Sequence, residues 1–153
     1  MSSKRVLIVD DEAPIREMLT LALEMAGYEC LEADNARDAH GIIVDARPDL
    51  ILLDWMMPDG DGLELLKKAK QVKEYQHTPV IMVTARTAPS AMSEGLNAGA
   101  FYYLTKPIEE DILLAVVKAA LDEVCSIRSL LSNQNQFARS FRMMTNGSFE
   151  FRT

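Results

Sequence analysis

The 153-residue chain is 48% hydrophobic and 25% charged, the balance of one soluble globular domain with a short remainder. Its formal net charge of -7 speaks against sequence-independent nucleic-acid binding, which draws on clustered Lys and Arg. Two cysteines, Cys30 and Cys125, have no metal-ligand or redox spacing, so both are expected to be reduced. The apolar runs Val6–Val9, Leu50–Leu53 and Val80–Val83 are each four residues long, against the roughly 20 that a membrane helix needs. The first run stops at Asp10-Asp11-Glu12, which leaves no signal-peptide core. A cytoplasmic protein without a membrane segment is the expectation.

Short β-branched-rich runs alternate with stretches of helical period. Val6–Val9 reads as a first strand, apolar on every residue and so buried on both faces. Ala13–Ala26 reads as a helix, with Pro14 in its first turn, Ile15, Met18, Leu19 and Ala22 as its apolar stripe, and Gly27 as its stop. Tyr28–Ala33 carries Glu29 and Glu32, which suits an edge strand. Asn35–Ala46 opens on a capping-type Asn and closes before Pro48. Leu50–Leu53 is the third strand, and Pro58-Asp59-Gly60-Asp61-Gly62 is a turn cluster leading into a helix over Leu63–Val72. That cluster lacks the spaced acids and closing Glu of a calcium loop. A strand over Val80–Val83, a helix over Pro89–Ala98 interrupted by Gly95, and a strand over Phe101–Leu104 come next. The last helix, Glu109–Val124, places Ile112, Ala115, Val116, Ala119 and Ala120 on one stripe.

Five strand–helix units in strict alternation predict an α/β fold: a doubly wound five-stranded parallel sheet with helices on both faces. Pattern alone leaves the strand order open. A domain of this length most often takes the flavodoxin-like order 2-1-3-4-5, which gathers functional groups at the carboxyl ends of the strands.

The residues directly after the buried runs form a short set. Asp10 and Asp11 come after the first, Asp54 after the third, Thr84 after the fourth, and Thr105-Lys106-Pro107 after the fifth. With strands 1 and 3 adjacent, the three carboxylates converge and repel unless a cation or protons compensate. Hard oxygen ligands of this kind suit Mg²⁺. Lys106 adds a fixed positive charge and Thr84 a hydroxyl donor, and the whole set is what phosphoryl transfer to an aspartate requires. The plainer reading, acids that cap the adjoining helices, is adequate for Glu12 or Asp61 alone but not for the set.

Val6-Leu7-Ile8-Val9-Asp10-Asp11-Glu12, Asp54-Trp55-Met56-Met57-Pro58 leading to Gly62, Val83-Thr84-Ala85, and Lys106-Pro107 keep the order and spacing of a known family. Over residues 4–124 the chain resembles the response-regulator receiver domain of two-component signalling systems, of the chemotaxis-regulator kind. The resemblance implies Asp54 as phospho-acceptor, supplied by a sensor histidine kinase or a histidine phosphotransfer protein. It implies Mg²⁺ held by Asp11, Asp54 and the backbone carbonyl of Met56, with Asp10 acting largely through water. It implies that Lys106 pairs with the phosphoryl group, ahead of a cis Lys106-Pro107 bond. It also implies Thr84 bonding a phosphoryl oxygen and Tyr103 as the switch aromatic. Such a domain catalyses only its own phosphorylation and dephosphorylation. Met56 and Arg86 depart from common family choices at two positions flanking the path of the attacking water. Met57 is expected in the core, and His40 and His77 at the surface without a role.

Three other readings compete. A haloacid-dehalogenase-type hydrolase wants a second Asp two residues after the nucleophile, where Met56 stands. A flavin carrier needs a Ser/Thr/Gly-rich loop after strand 1, where Asp10-Asp11-Glu12 would repel its phosphate. A receiver-like scaffold that is never phosphorylated usually loses members of the set. Residues 125–153 read as a helical extension or linker. Ile127, Leu130, Leu131, Gln134, Phe137 and Phe141 continue a 3–4 spacing, and Ser148–Arg152 alternates like a lone strand. The preferred expectation is the start of a truncated output domain; the alternative is a natural tail that adds to its own sheet or to a partner. A homodimer through the face of helix 4, strand 5 and helix 5, held partly by residues 125–141, is expected, with no direct nucleic-acid binding by this chain.

Overall fold

The computed structural model describes residues 3–124 as an alternation of strand and helix. In chain order the first elements are β1 (Arg5–Val9), α1 (Ala13–Met25), β2 (Glu29–Ala33), α2 (Ala36–Ala46) and β3 (Leu50–Leu53). Then come β4 (Met56–Met57), β5 (Gly60–Asp61), α3 (Gly62–Gln71), β6 (Val80–Thr84), α4 (Pro89–Asn97) and β7 (Tyr102–Thr105). Residues 110–124 are helical and are called α5. The main sheet is parallel, in the order β2-β1-β3-β6-β7. That is the order 2-1-3-4-5 once β4 and β5 are set aside. Those two short strands form their own antiparallel hairpin, Met56 opposite Asp61 and Met57 opposite Gly60, where the sequence shows only a turn. The expectations for residues 125–153, and for a dimer built on them, lie outside the described residues.

The continuous apolar runs divide by alternation, because successive side chains of a strand point to opposite faces. Leu7, Val9, Ile51 and Leu53 pack with Ala39 and Ile43 of α2, Leu63 and Leu66 of α3, and Ala91 of α4. Val6, Ile8, Leu50 and Leu52 pack with Leu19 and Leu23 of α1 and with Leu113, Val117 and Leu121 of α5. The sheet is therefore covered on both faces, which is why its central strands tolerate no polar residue before their carboxyl ends.

Three expectations need correction. In α1, Leu23 is buried and Met18 is largely exposed, although periodicity places Met18 inside. In α5 the buried residues are Leu113, Val117, Ala120 and Leu121; of the predicted stripe Ala120 alone is buried, and Ile112 is exposed. Both helices are apolar around much of their circumference, so the pattern leaves the phase free and docking on the sheet selects it. The fifth sheet strand runs Tyr102–Thr105 rather than Phe101–Leu104, and the polar Thr105 is carried into the ladder opposite Thr84. Helix ends match the sequence more closely. Asn35 accepts from the Asp38 N–H at 2.8 Å and Asp61 from the Leu63 N–H at 2.8 Å. Among the described residues no helix is long and apolar enough to cross a membrane.

Gly62 joins the hairpin to α3 at its closest approach to β3. A Cβ there would collide with the Asp54 carbonyl oxygen and lie 3.0 Å from the Trp55 Cα. The Gly62 N–H donates to the Trp55 carbonyl at 2.7 Å, so the two segments cannot separate cheaply. Gly62→Ala is expected to lower stability by about 1–3 kcal/mol, the usual cost of forcing extra volume into a packed site, read as a reduced urea midpoint.

Candidate functional site

Parallel pairing delivers the predicted residues to one edge of the sheet. The Asp10 N–H donates to the Ala33 carbonyl at 3.1 Å, and the Asp54 N–H to the Val9 carbonyl at 2.9 Å. The Lys106 N–H donates to the Thr84 carbonyl at 2.9 Å. Each bond carries a ladder one residue past its strand, so the side chains just beyond share the carboxyl edge. Asp10, Asp54 and Thr84 are the buried polar residues among those described, at 1%, 5% and 1% exposure.

Lys106 binds this edge together. Its Nζ lies 2.7 Å from Asp10 Oδ2, 3.1 Å from Asp54 Oδ2 and 3.8 Å from Glu12 Oε1. The Asp54 and Asp10 contacts are both charge-assisted, and the one to Asp10 is the shorter. Asp10 Oδ1 accepts from the Glu12 N–H at 2.9 Å, so one of its oxygens does help start α1 and the other is left for charge. The Lys106-Pro107 peptide is cis, in keeping with the family resemblance.

Burial pushes the Asp54 carboxyl above its usual range, the bond and charge of Lys106 pull it down, Asp10 pushes it up again, and the Thr84 hydroxyl pulls it down. Burial pulls Lys106 down, but its bonds to Asp10 and Asp54 outweigh that and hold it above an ordinary lysine. A private Asp54–Lys106 pair would lower Asp54. The sign is the opposite because burial outweighs what Lys106 gives back, with the neighbouring Asp10 charge adding to the rise.

One carboxylate oxygen from each of Asp10, Asp11 and Glu12 lies within 4.8 Å of the other two. Sequence reasoning groups Asp10 and Asp11 with Asp54 and treats Glu12 as a helix cap. Glu12 does occupy the N-cap position of α1, but its side chain makes no capping bond and joins the acidic group instead. Clustered hard oxygens fit a divalent cation such as Mg²⁺. Arg16 is a residue that sequence reasoning misses. Its Nη1 donates to the Asp10 carbonyl at 2.7 Å and its Nε lies 3.5 Å from Glu32. No motif marks it; only its place early in α1 puts it within reach.

A second cluster lies beside Asp54. The buried Trp55 ring meets Tyr103 edge to face, centroids 6.4 Å apart, and the Arg86 guanidinium stands 4.4 Å from the Trp55 ring centre. The Tyr103 hydroxyl donates to the Arg86 carbonyl at 2.8 Å. Its ring packs over Gly95, where a Cβ would come within 3.2 Å of it. This close approach is the reason α4 carries a glycine that its helical period does not favour. Arg86 and the exposed Met56 border a hollow of about 180 Å³ with Trp55, Met57, Gly60 and Asp61. Met57 packs against the core, and His40 and His77 are exposed, as expected.

A flavodoxin-like sheet with its polar residues gathered where the strand order reverses is the class of protein that this fold and site define. Residues 6–118 match the response regulator receiver domain, and the chain belongs to that family. It is 53% identical over 121 residues to the phosphate regulon transcriptional regulatory protein PhoB of Pseudomonas aeruginosa, covering 79% of this chain and 53% of that one. The Escherichia coli PhoB is 40% identical over 122 residues, 80% of this chain and 53% of its own. The chain thus spans about half the length of these curated relatives. Among solved structures, a CheY-like response regulator receiver domain protein from Methanospirillum hungatei superposes with a TM-score of 0.77 at 37% identity, covering 82% of this chain and 98% of that one. Chemotaxis protein CheY4 of Vibrio cholerae gives 0.73 at 35% identity, covering 78% and 99%. Membership of this family sets aside the dehalogenase-type and flavin readings.

The raised Asp54 carboxyl makes stability depend on pH. Its contribution is fully present below the ordinary value of 3.8 and is lost as pH rises through the higher folded value, so at neutral pH the ionised carboxylate opposes folding. Asp54→Asn is therefore expected to raise the thermal midpoint at about pH 7, with the gain vanishing toward about pH 3. Lys106→Met should act the other way, costing about 3–5 kcal/mol, since it leaves two buried carboxylates uncompensated.

Proposed function

We propose that this chain is the receiver module of a response regulator, in which Asp54 takes a phosphoryl group from a phosphohistidine on a sensor kinase or phosphotransfer protein. The observation that carries the reading is the Lys106 ammonium shared by the buried Asp54 and Asp10. Such a site holds a cation against the acceptor oxygen while keeping an excess of negative charge that a divalent ion would neutralise. Asp54 supplies the nucleophilic oxygen: a new O–P bond forms as the N–P bond to imidazole breaks, and the electron pair leaves with the histidine nitrogen. Asp11, Asp54 and the Met56 carbonyl would hold Mg²⁺, with Asp10 acting largely through water and Glu12 completing the acidic rim. Bound there, the ion would supply charge neutralisation on the transferring group. Lys106 stays beside the new dianion, and the Thr84 hydroxyl bonds one of its oxygens.

The route outward runs from Thr84 through Arg86 to Tyr103. The Arg86 N–H lies 3.4 Å from Thr84 Oγ1, and the Arg86 carbonyl accepts from the Tyr103 hydroxyl at 2.8 Å. A Thr84 drawn toward the phosphoryl group therefore moves the residue that holds Tyr103, and the inward Tyr103 becomes the element whose population phosphorylation biases. The module acts in the cytoplasm, with residues 4–124 as receiver and residues 125–153 leading toward the output. The PhoB relatives, transcriptional regulatory proteins of which the matched segment is 53%, support an output in transcription control. Self-association through α4, β7 and α5 is part of the same reading.

Incubation with acetyl phosphate and Mg²⁺ should add one phosphoryl group per chain, and Asp54→Asn should abolish it; labelling that persists undiminished in that variant overturns the assignment. The lifetime of the phosphorylated form should be long. Met56, 65% exposed, gives an attacking water no hydrogen bond, and its side chain stands at the hollow beside the acceptor. Met56→Asn should quicken loss of phosphate, and an unchanged decay rate counts against that account.

A further inference from the structure

Asp59 sits at the tip of the β4–β5 hairpin, exposed to solvent, yet both of its carboxylate oxygens are engaged. Oδ1 accepts from the Ala36 N–H at 2.8 Å and Oδ2 from the Arg37 N–H at 3.0 Å. These are first-turn amides of α2, which have no partner inside their own helix. The local cap of that helix, Asn35, takes a different amide, that of Asp38. The division is complete: Asn35 closes α2 on itself, while Asp59 ties α2 to a loop 22 and 23 residues away in sequence. The bonds from Ala36 and Arg37 also hold the Asp59 carboxyl below its usual range, so the tie is charged at neutral pH and faces the positive end of the helix.

The hairpin needs such a tie. It has only two paired residues on each side, and a short two-stranded ribbon is at best marginal on its own. Its base is secured by the Gly62 N–H on the Trp55 carbonyl and by Asp61 on the Leu63 N–H. Its tip is secured by Asp59. With the base alone, Met56 would hinge about Trp55 and Gly62.

We infer that Asp59 is a positioning residue for the Mg²⁺ site: by tying the hairpin tip to the N-terminus of α2 it keeps the Met56 backbone where its carbonyl serves as a ligand. The inference rests on the receiver reading above, and its test separates the two. Mg²⁺ is titrated against Trp55 fluorescence in the wild type, Asp59→Ala, Asp59→Asn and Asn35→Ala. Asp59→Ala should bind roughly tenfold more weakly, the low end of the effect of losing an outer partner in a metal site. Asp59→Asn keeps one acceptor oxygen and should fall between. Asn35→Ala should lower the unfolding midpoint while leaving Mg²⁺ affinity at the wild-type value, since it loosens the same helix end without freeing the hairpin. Amide exchange at Ala36 and Arg37 should quicken in Asp59→Ala. Wild-type affinity in Asp59→Ala, or equal weakening in Asn35→Ala, overturns the tie and leaves the receiver reading standing. A wild-type chain that shows no saturable Mg²⁺ response overturns both.

Discussion

The Lys106 ammonium sits between two carboxylates that are almost wholly removed from water, 2.7 Å from Asp10 and 3.1 Å from Asp54. Without it those acids would not both be buried and ionised at the end of adjacent strands. With it, they are compensated only in part, and Asp54 remains harder to ionise than a free carboxyl. That incomplete compensation is the useful state. Fully neutralised, the site would exert no pull on a divalent cation; without the lysine, the acceptor would be protonated or unfolded from the edge.

The rest of the fold works to keep this arrangement in place. Buried parallel strands bring Asp10 and Asp54 to the same level because the Asp54 N–H still reaches the Val9 carbonyl. Arg16 holds the Asp10 peptide from α1, and Gly62 lets α3 begin directly against the Asp54 carbonyl. On the far side, Trp55, Arg86 and Tyr103 form one packed joint, so a change at Thr84 has a neighbouring solid element to push. Interiors packed this closely shift between discrete arrangements rather than deform smoothly, which suits a switch.

Several features are legible in the residues alone. The runs Val6–Val9, Leu50–Leu53 and Val80–Val83 are apolar on every residue, and only a sheet covered on both faces buries such runs. Gly27 takes φ +97, a conformation that suits glycine, so the stop of α1 is readable from a single letter. Asp10, Asp54 and Thr84 stand out because a charged or hydroxyl residue directly after a buried run must end at the sheet edge, and Lys106 stands one residue further on.

The alternation of elements, the caps at Asn35 and Asp61, and the arrival of Asp10 and Asp54 at one edge follow from the residues in order, because these depend on local period and on the residue directly after each strand. Tertiary structure alone decided the phase of α1 and α5, where Leu23 and Leu113 went inside and Met18 and Ile112 stayed out. Apolar residues surround much of both helices, and only the shape of the sheet face chooses among them. It also decided that Glu12 joins the acidic group, that Arg86 lies over Trp55, and that Asp59 closes on Ala36 and Arg37. Each of these contacts joins segments whose separation in space no periodicity records, so each waits on the folded chain.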